Sequence, residues 1–189
     1  MISSGDALKS LAREAAMLPQ EEMLEVGRKK QSLYIGIPKE TEFQEQRVAL
    51  VPEAVNLLVS NGHRVVIETN AGANANFSDN DYSEAGAKIA YSPEEVYESD
   101  IILKVTPPSI KEISLMKHKQ ILFSALQLTV QPGDALKKLI SKKITAIAWD
   151  YVQDEEGVFP IIRSMGEIAG TTSILISGEL MSNANNGKG

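Results

Sequence analysis

The sequence predicts an α/β fold: a parallel sheet with helices on both faces. Three observations predict it. Short apolar runs of strand length recur between Tyr34 and Ala148. Helix-length segments separate them, and runs such as RVVIE (Arg64 to Glu68) have the continuous apolar character of strands buried on both sides. At 189 residues, with 43% hydrophobic and 23% charged residues, the chain can build a domain with a substantial core.

Residues 1–33 differ in character from the rest of the chain. Leu8, Leu11, Ala12, Ala15 and Ala16 fall at helical spacing behind a possible cap at Asp6, and Pro19 breaks the segment. Gln20 to Val26 suits a second short helix before the basic Arg28-Lys29-Lys30. Two readings stand for 1–33: a helical extension docked on the main domain or a neighbouring subunit, and a frayed tail.

An α/β domain is expected over 34–163. Tyr34 to Ile37 opens it as a strand, and Pro38 stops the ladder because it has no N–H to donate. A loop holding Glu40, Glu42 and Glu45 leads to Arg47, and after the apolar Val48-Ala49-Leu50-Val51, Pro52 starts a helix that Gly62 ends. The strand Arg64 to Glu68 leads into AGANANFSD, where Ser78 or Asp79 caps a helix running through Tyr82 to Gly86. Lys88 to Ala90 is a minimal strand, and Ser92-Pro93-Glu94-Glu95 has cap, proline and first-turn acids in helix-start order. Asp100 to Val105 is a strand halted by Pro107-Pro108, followed by a helix over Ile110 to Met116 and a strand over Gln120 to Ala125. A helix over Gly133 to Ser141 and a strand over Ile144 to Ala148 complete the alternation.

The segment 164–189 reads differently. Ser164 to Asn183 is apolar around much of a helix's circumference and calls for cover on more than one side. It ends in Asn-Asn-Gly-Lys-Gly, so it reads as a connector to a further domain and the chain as a fragment.

Composition removes several function classes. A net charge of −6 without a basic patch argues against nucleic-acid binding. The absence of cysteine excludes disulfides, thiol catalysis and Cys-ligated zinc, and two histidines, His63 and His118, are too few for a His-rich metal site, so no metal is expected. The sequence contains no membrane-length apolar run and no signal-peptide core, which makes the cytoplasm the default location.

In open parallel sheets ligands bind at the C-terminal ends of the strands. Arg47, Lys104, Gln127 and Trp149-Asp150 fall at such ends. Lys104 interrupts an apolar strand, so it needs water, a partner or a ligand. Arg47 reads two ways: a surface pair with Glu45, or a partly desolvated fork for a carboxylate or phosphate. His63 reads as a helix-end hydrogen bonder and His118 as a solvated turn residue. No strand is followed by G-x-G-x-x-G, and neither a P-loop nor a Ser/His/Asp set occurs. The residues alone support an α/β domain that binds a small anion through Arg47 and Lys104.

IGIPKE with RVAL, AGANANFSD, AGAKI, DIILKV and GVFPIIRSMGEIAG (Gly157 to Gly170) together resemble the N-terminal domain shared by alanine dehydrogenase and the alpha subunit of proton-translocating nicotinamide nucleotide transhydrogenase. The resemblance runs from about Tyr34 to the end. It implies a Rossmann-like (or flavodoxin-like) substrate domain, with a long helix over 164–189 leading to a separate NAD domain that carries the glycine fingerprint. By position it implies that Arg47 grips the substrate carboxylate, that Lys104 bonds substrate near the reacting carbon, and that Met165 and Gly166 touch the dinucleotide. The implied reaction is NAD-dependent oxidative deamination of L-alanine to pyruvate and ammonia in a homo-oligomer.

Two positions depart from that pattern. Gln127 stands where the dehydrogenases carry a catalytic histidine; it can donate a hydrogen bond but cannot take up a proton near neutral pH. Gly166 stands where the family usually has serine. Gln127 favours the transhydrogenase reading, whereas the short Asp154 to Phe159 loop is dehydrogenase-like. A domain kept for ligand sensing or oligomerisation is the third reading.

Overall fold

The computed structural model describes residues 32–187, so the extension expected over 1–33 lies, but for its last two residues, outside the described residues. Six strands form one parallel sheet: β1 (Tyr34–Ile37), β2 (Arg64–Glu68), β3 (Lys88–Ala90), β4 (Ile101–Leu103), β5 (Ile121–Ser124) and β6 (Thr145–Ala148). Their order is β3-β2-β1-β4-β5-β6. This is the doubly wound Rossmann order, not the flavodoxin order. The connecting helices are α1 (Pro52–Ser60), α2 (Asp79–Glu84), α3 (Pro93–Val96), α4 (Ile110–Leu115) and α5 (Gly133–Ser141), and a 22-residue helix α6 (Pro160–Met181) closes the described chain.

Alternation along the short strands sorts the core into two layers. Ile35, Ile37, Val65 and Ile67 meet Val55 of α1 and Tyr82 and Ala85 near α2 on one face. On the other face Val66 packs with Val96 of α3, while Ile102 and Leu122 pack with Ile113 near α4 and Ala135 and Leu139 of α5. Both faces of the sheet therefore carry helices, as the apolar strands require.

The helix starts follow their local chemistry. Ser78 caps α2 in a reciprocal box with Asp81, and Ser109 does the same for α4 with Glu112. Asp79, the other candidate cap of α2, instead accepts from the Thr69 hydroxyl at 2.6 Å and the Asn70 N–H at 2.8 Å. Ser92 precedes α3 but makes no side-chain cap, so proline and first-turn acids carry that start. Gly62 follows α1 with φ +87°, the left-handed stop that glycine adopts without strain.

Several boundaries move by a few residues, and two of them bear on the site. Lys104 lies one residue beyond β4, though its N–H still bonds the Phe123 carbonyl at 3.0 Å. The last helix begins at Pro160, four residues ahead of Ser164, because proline is preorganised for a first helical position. No residue of α6 is buried, and Ile168, Ile174, Leu175, Leu180 and Met181 are exposed. The cover its circumference calls for is not among the described residues.

Gly36 makes the return crossover possible. It sits between Val66 and Ile102 in the register, where the chain coming back from β3 passes over β1. A Cβ there would collide with Ser99 Oγ and stand 2.6 Å from the Val96 carbonyl oxygen. Backbone cannot yield as a flexible side chain can, so Gly36→Ala should cost about 1–3 kcal/mol through overpacking. Urea unfolding measures this; an unchanged midpoint would show that the crossover is not tight at this point.

Candidate functional site

The topology decides where polar side chains can converge. From β1 the chain runs outward through β2 and β3, then returns to place β4 on the other side of β1. The crevice at the C-terminal ends of β1 and β4 is therefore the switch point of the sheet. The loop after β1 carries Arg47 and the residue after β4 is Lys104. A cavity of about 280 Å³ opens there, lined mainly by apolar side chains and by Arg47, Lys104, Phe123, Trp149 and Met165.

Lys104 is the most buried charge of the site. Its side chain is 0% exposed and its ammonium donates to Glu40 at 3.0 Å and to Glu112 at 2.8 Å. Trp149 Nε1 donates to the Lys104 carbonyl at 3.3 Å, fixing the backbone beside it. A buried ammonium is tolerable only when paired and hydrogen-bonded, and removing one partner of such a pair costs about 3–5 kcal/mol. Glu40 comes from the loop after β1, so its carboxylate joins that loop to the end of β4. It accepts the Val105 N–H at 2.6 Å and the Thr106 hydroxyl at 2.5 Å in addition to Lys104. Glu112 accepts the Ser109 N–H at 2.7 Å through its second oxygen.

Burial pushes the Glu112 carboxyl up, but the Lys104 charge and hydrogen bond, with the Ser109 donors, outweigh it and hold the group below its ordinary 4.5. Tyr97 is pushed far up, first by burial and then by the neighbouring Glu112 charge, so its phenol stays neutral.

Arg47 stands at the rim, with half its side chain exposed. Its Nε and one terminal nitrogen donate to the two oxygens of Glu45 at 2.8 and 2.6 Å. The other terminal nitrogen lies 3.8 Å from Met165 Sδ. The hydrogen bond to Glu45 raises the guanidinium's pKa above its ordinary value, and the same bond holds Glu45 below its own. Both readings of Arg47 thus meet in one geometry: it is a surface pair, and that pair holds a planar fork at the edge of the cavity. The pair is uneven, with the Arg47 side chain half exposed and that of Glu45 only 10% exposed.

The structure brings Arg47, Lys104 and Met165 around one cavity and leaves Gln127 outside it. Gln127 lines a neighbouring cavity of about 390 Å³ with Thr41, Thr106, Glu112 and Gln131. Its backbone is in the left-handed region at φ +44°, held by Asp150, which accepts the Leu126 and Gln127 N–H groups at 3.1 Å each. Gly166 follows Met165 on α6, and nothing lies within 4 Å of where its Cβ would stand. His63 accepts the Leu33 N–H at 3.2 Å through Nδ1, and His118 is exposed.

Neither Glu40 nor Glu112 stands out as a site residue in the sequence, and Asp150, though at a strand end, shows no sign there of its hold on Gln127. The Ser109-x-x-Glu112 spacing has the form of a capping box, but nothing local says that the Glu112 carboxylate also reaches Lys104. Glu40 is one of three loop acids, and only the sheet order separates it from the other two.

Residues 36–169 match the family described as Alanine dehydrogenase/PNT, N-terminal domain. Alanine dehydrogenase of Staphylococcus epidermidis is 39% identical over 155 residues, which is 82% of this chain and 42% of that protein. The Bacillus subtilis enzyme is 36% identical over 157 residues, covering 83% of this chain and 41% of the relative. A solved L-alanine dehydrogenase superposes with a TM-score of 0.78 at 36% identity, over 83% of this chain and 43% of that one. A transhydrogenase from Sinorhizobium meliloti superposes with a TM-score of 0.57 at 30% identity, over 62% and 33% respectively. The chain spans about two fifths of the length of the alanine dehydrogenases it matches.

The lowered Glu112 pKa fixes a pH dependence. A carboxyl whose folded pKa is depressed contributes stability that is present above its unfolded value and is lost as pH falls through the folded one. Stability should therefore drop as pH falls below 4.5, the ordinary value. Glu112→Gln should lower stability near neutral pH and flatten that acid limb, as read from urea midpoints across pH. A parallel loss at every pH would show that the Lys104 pair does not hold the proton off Glu112.

Proposed function

Because the chain belongs to the alanine dehydrogenase/PNT N-terminal domain family, we propose that it is the substrate domain of an NAD-dependent oxidoreductase that deaminates L-alanine to pyruvate and ammonia. In this reading Arg47 takes the substrate carboxylate as a two-pronged fork, and Lys104 donates to the substrate near the reacting carbon. Their contribution is positioning and stabilisation of charge that develops in the reaction. The observation that carries the reading is the single cavity at the switch point lined by both cations. Its mostly apolar walls suit a small acid with an apolar body and one charged end.

NAD supplies the hydride acceptor when bound. The sequence has no glycine fingerprint, so in this reading most of the dinucleotide is held by a domain beyond α6, and 164–189 is the connector towards it. The edge formed by Met165 and Gly166 fits that role. Met165 borders the cavity beside Arg47, and the open space at Gly166 leaves room for a planar group.

The transhydrogenase reading draws on Gln127, since hydride exchange between two nucleotides needs no proton carrier for an amino acid. The turn over 154–158 weighs against it. It is short, and Asp154 closes it by accepting the Glu156 and Val158 N–H groups at 3.0 and 2.8 Å.

The full-length protein should form NADH from L-alanine and NAD and bind pyruvate. Arg47→Ala should weaken pyruvate binding roughly 100-fold, with Arg47→Lys intermediate because a point charge cannot replace the fork. Calorimetry and NADH absorbance measure both. Wild-type affinity in Arg47→Ala would contradict the carboxylate clamp. Hydride exchange between NADH and an NADP analogue, with no alanine turnover, would favour the transhydrogenase.

A further inference from the structure

Deamination leaves a proton to remove. L-Alanine, NAD⁺ and water give pyruvate, ammonium, NADH and one H⁺. Gln127 cannot accept that proton and does not line the cavity with Arg47 and Lys104. Arg47 is always protonated. Among the described residues that line this cavity, Lys104 is the group placed to pass a proton on.

Lys104 has two carboxylate partners, and they are not equivalent. Glu40 is already bonded by the Val105 N–H and the Thr106 hydroxyl, so it stays satisfied if Lys104 turns away from it towards a ligand. Glu112 has the Ser109 donors apart from Lys104, and losing the ammonium would remove the charge that offsets its burial. A ligand on Lys104 thus replaces Glu40, and the Lys104–Glu112 pair persists. Glu112 also lines the neighbouring cavity of about 390 Å³, whereas Lys104 lines the cavity proposed for substrate. The pair bridges the wall between the two.

We propose that Glu112 relays the substrate proton from Lys104 into the outer cavity, the task an imidazole at position 127 would otherwise perform. The Nζ–H bond facing Glu112 breaks as an O–H bond forms at Oε1, and Nζ takes the proton leaving the substrate. Oε1 then gives its proton to water in the outer cavity. No electron changes hands in this transfer. The ion pair is the resting state, since Lys104 holds the proton off Glu112, and the neutral pair forms only in passing during the transfer. The Tyr97 phenol stays neutral throughout. Glu112 touches no substrate in this scheme; it is a positioning residue acting through Lys104.

The relay rests on the deamination reading, and the experiment separates the two. In the full-length protein, alanine-dependent NADH formation and pyruvate affinity are measured for wild type, Glu112→Gln and Glu112→Ala. The glutamine variant keeps an oxygen for the Ser109 N–H, and thermal unfolding checks its fold. The relay predicts that Glu112→Gln lowers kcat roughly 100-fold while pyruvate affinity changes less than about threefold, and that formate restores turnover to Glu112→Ala. Unchanged kcat in Glu112→Gln overturns the relay and leaves the deamination reading standing. Loss of affinity in step with kcat, without formate rescue, assigns Glu112 a purely structural role and also overturns the relay. Absence of alanine turnover in the wild type overturns the deamination reading and the relay with it.

Discussion

The site depends on one buried ammonium held by two carboxylates from different parts of the chain. Lys104 belongs to the end of β4, Glu40 to the loop after β1 and Glu112 to the first turn of α4. A charge sealed from water tolerates little displacement, because each lost contact strands an ion in a low-dielectric interior. The cluster therefore sets how the β1 loop lies against the end of β4, and that loop delivers Arg47 to the rim. The Lys39 N–H, bonded to Glu68 at 2.9 Å, ties the same loop to the end of β2. Fixing the loop in this way preorganises the cations before any ligand arrives.

The sheet order makes the arrangement possible, and Gly36 makes the sheet order possible. Without the return crossover over β1, the Arg47 loop and Lys104 would not flank one crevice. Close approach of backbone at a glycine in the central strand is a packing requirement, but here it has a direct consequence for which side chains meet.

Much of this was legible in the residues. The apolar runs, the prolines after the first and fourth strands and the Ser78 cap placed the elements to within a few residues, because these signals act locally. Arg47 and Lys104 could be singled out because charge at a strand end is conspicuous. Their partners could not. Glu40 is 64 residues from Lys104 in sequence, and only the crossover brings it close. The separation of Gln127 from the cation cavity was equally hidden, since it follows from the left-handed turn that Asp150 holds at the end of β5. Lys104 also moved, from inside the strand expected over Asp100 to Val105 to the first residue after β4, so its side chain is governed by the β1 loop and α4.

A crystal structure of the protein with pyruvate is the most direct test of the two-cation site. The expected result is the pyruvate carboxylate on the Arg47 guanidinium in place of Glu45, with the Lys104 ammonium within hydrogen-bond distance of the keto oxygen and still bonded to Glu112. Pyruvate bound away from both cations, or Lys104 still sealed between Glu40 and Glu112 beside an occupied cavity, would contradict it.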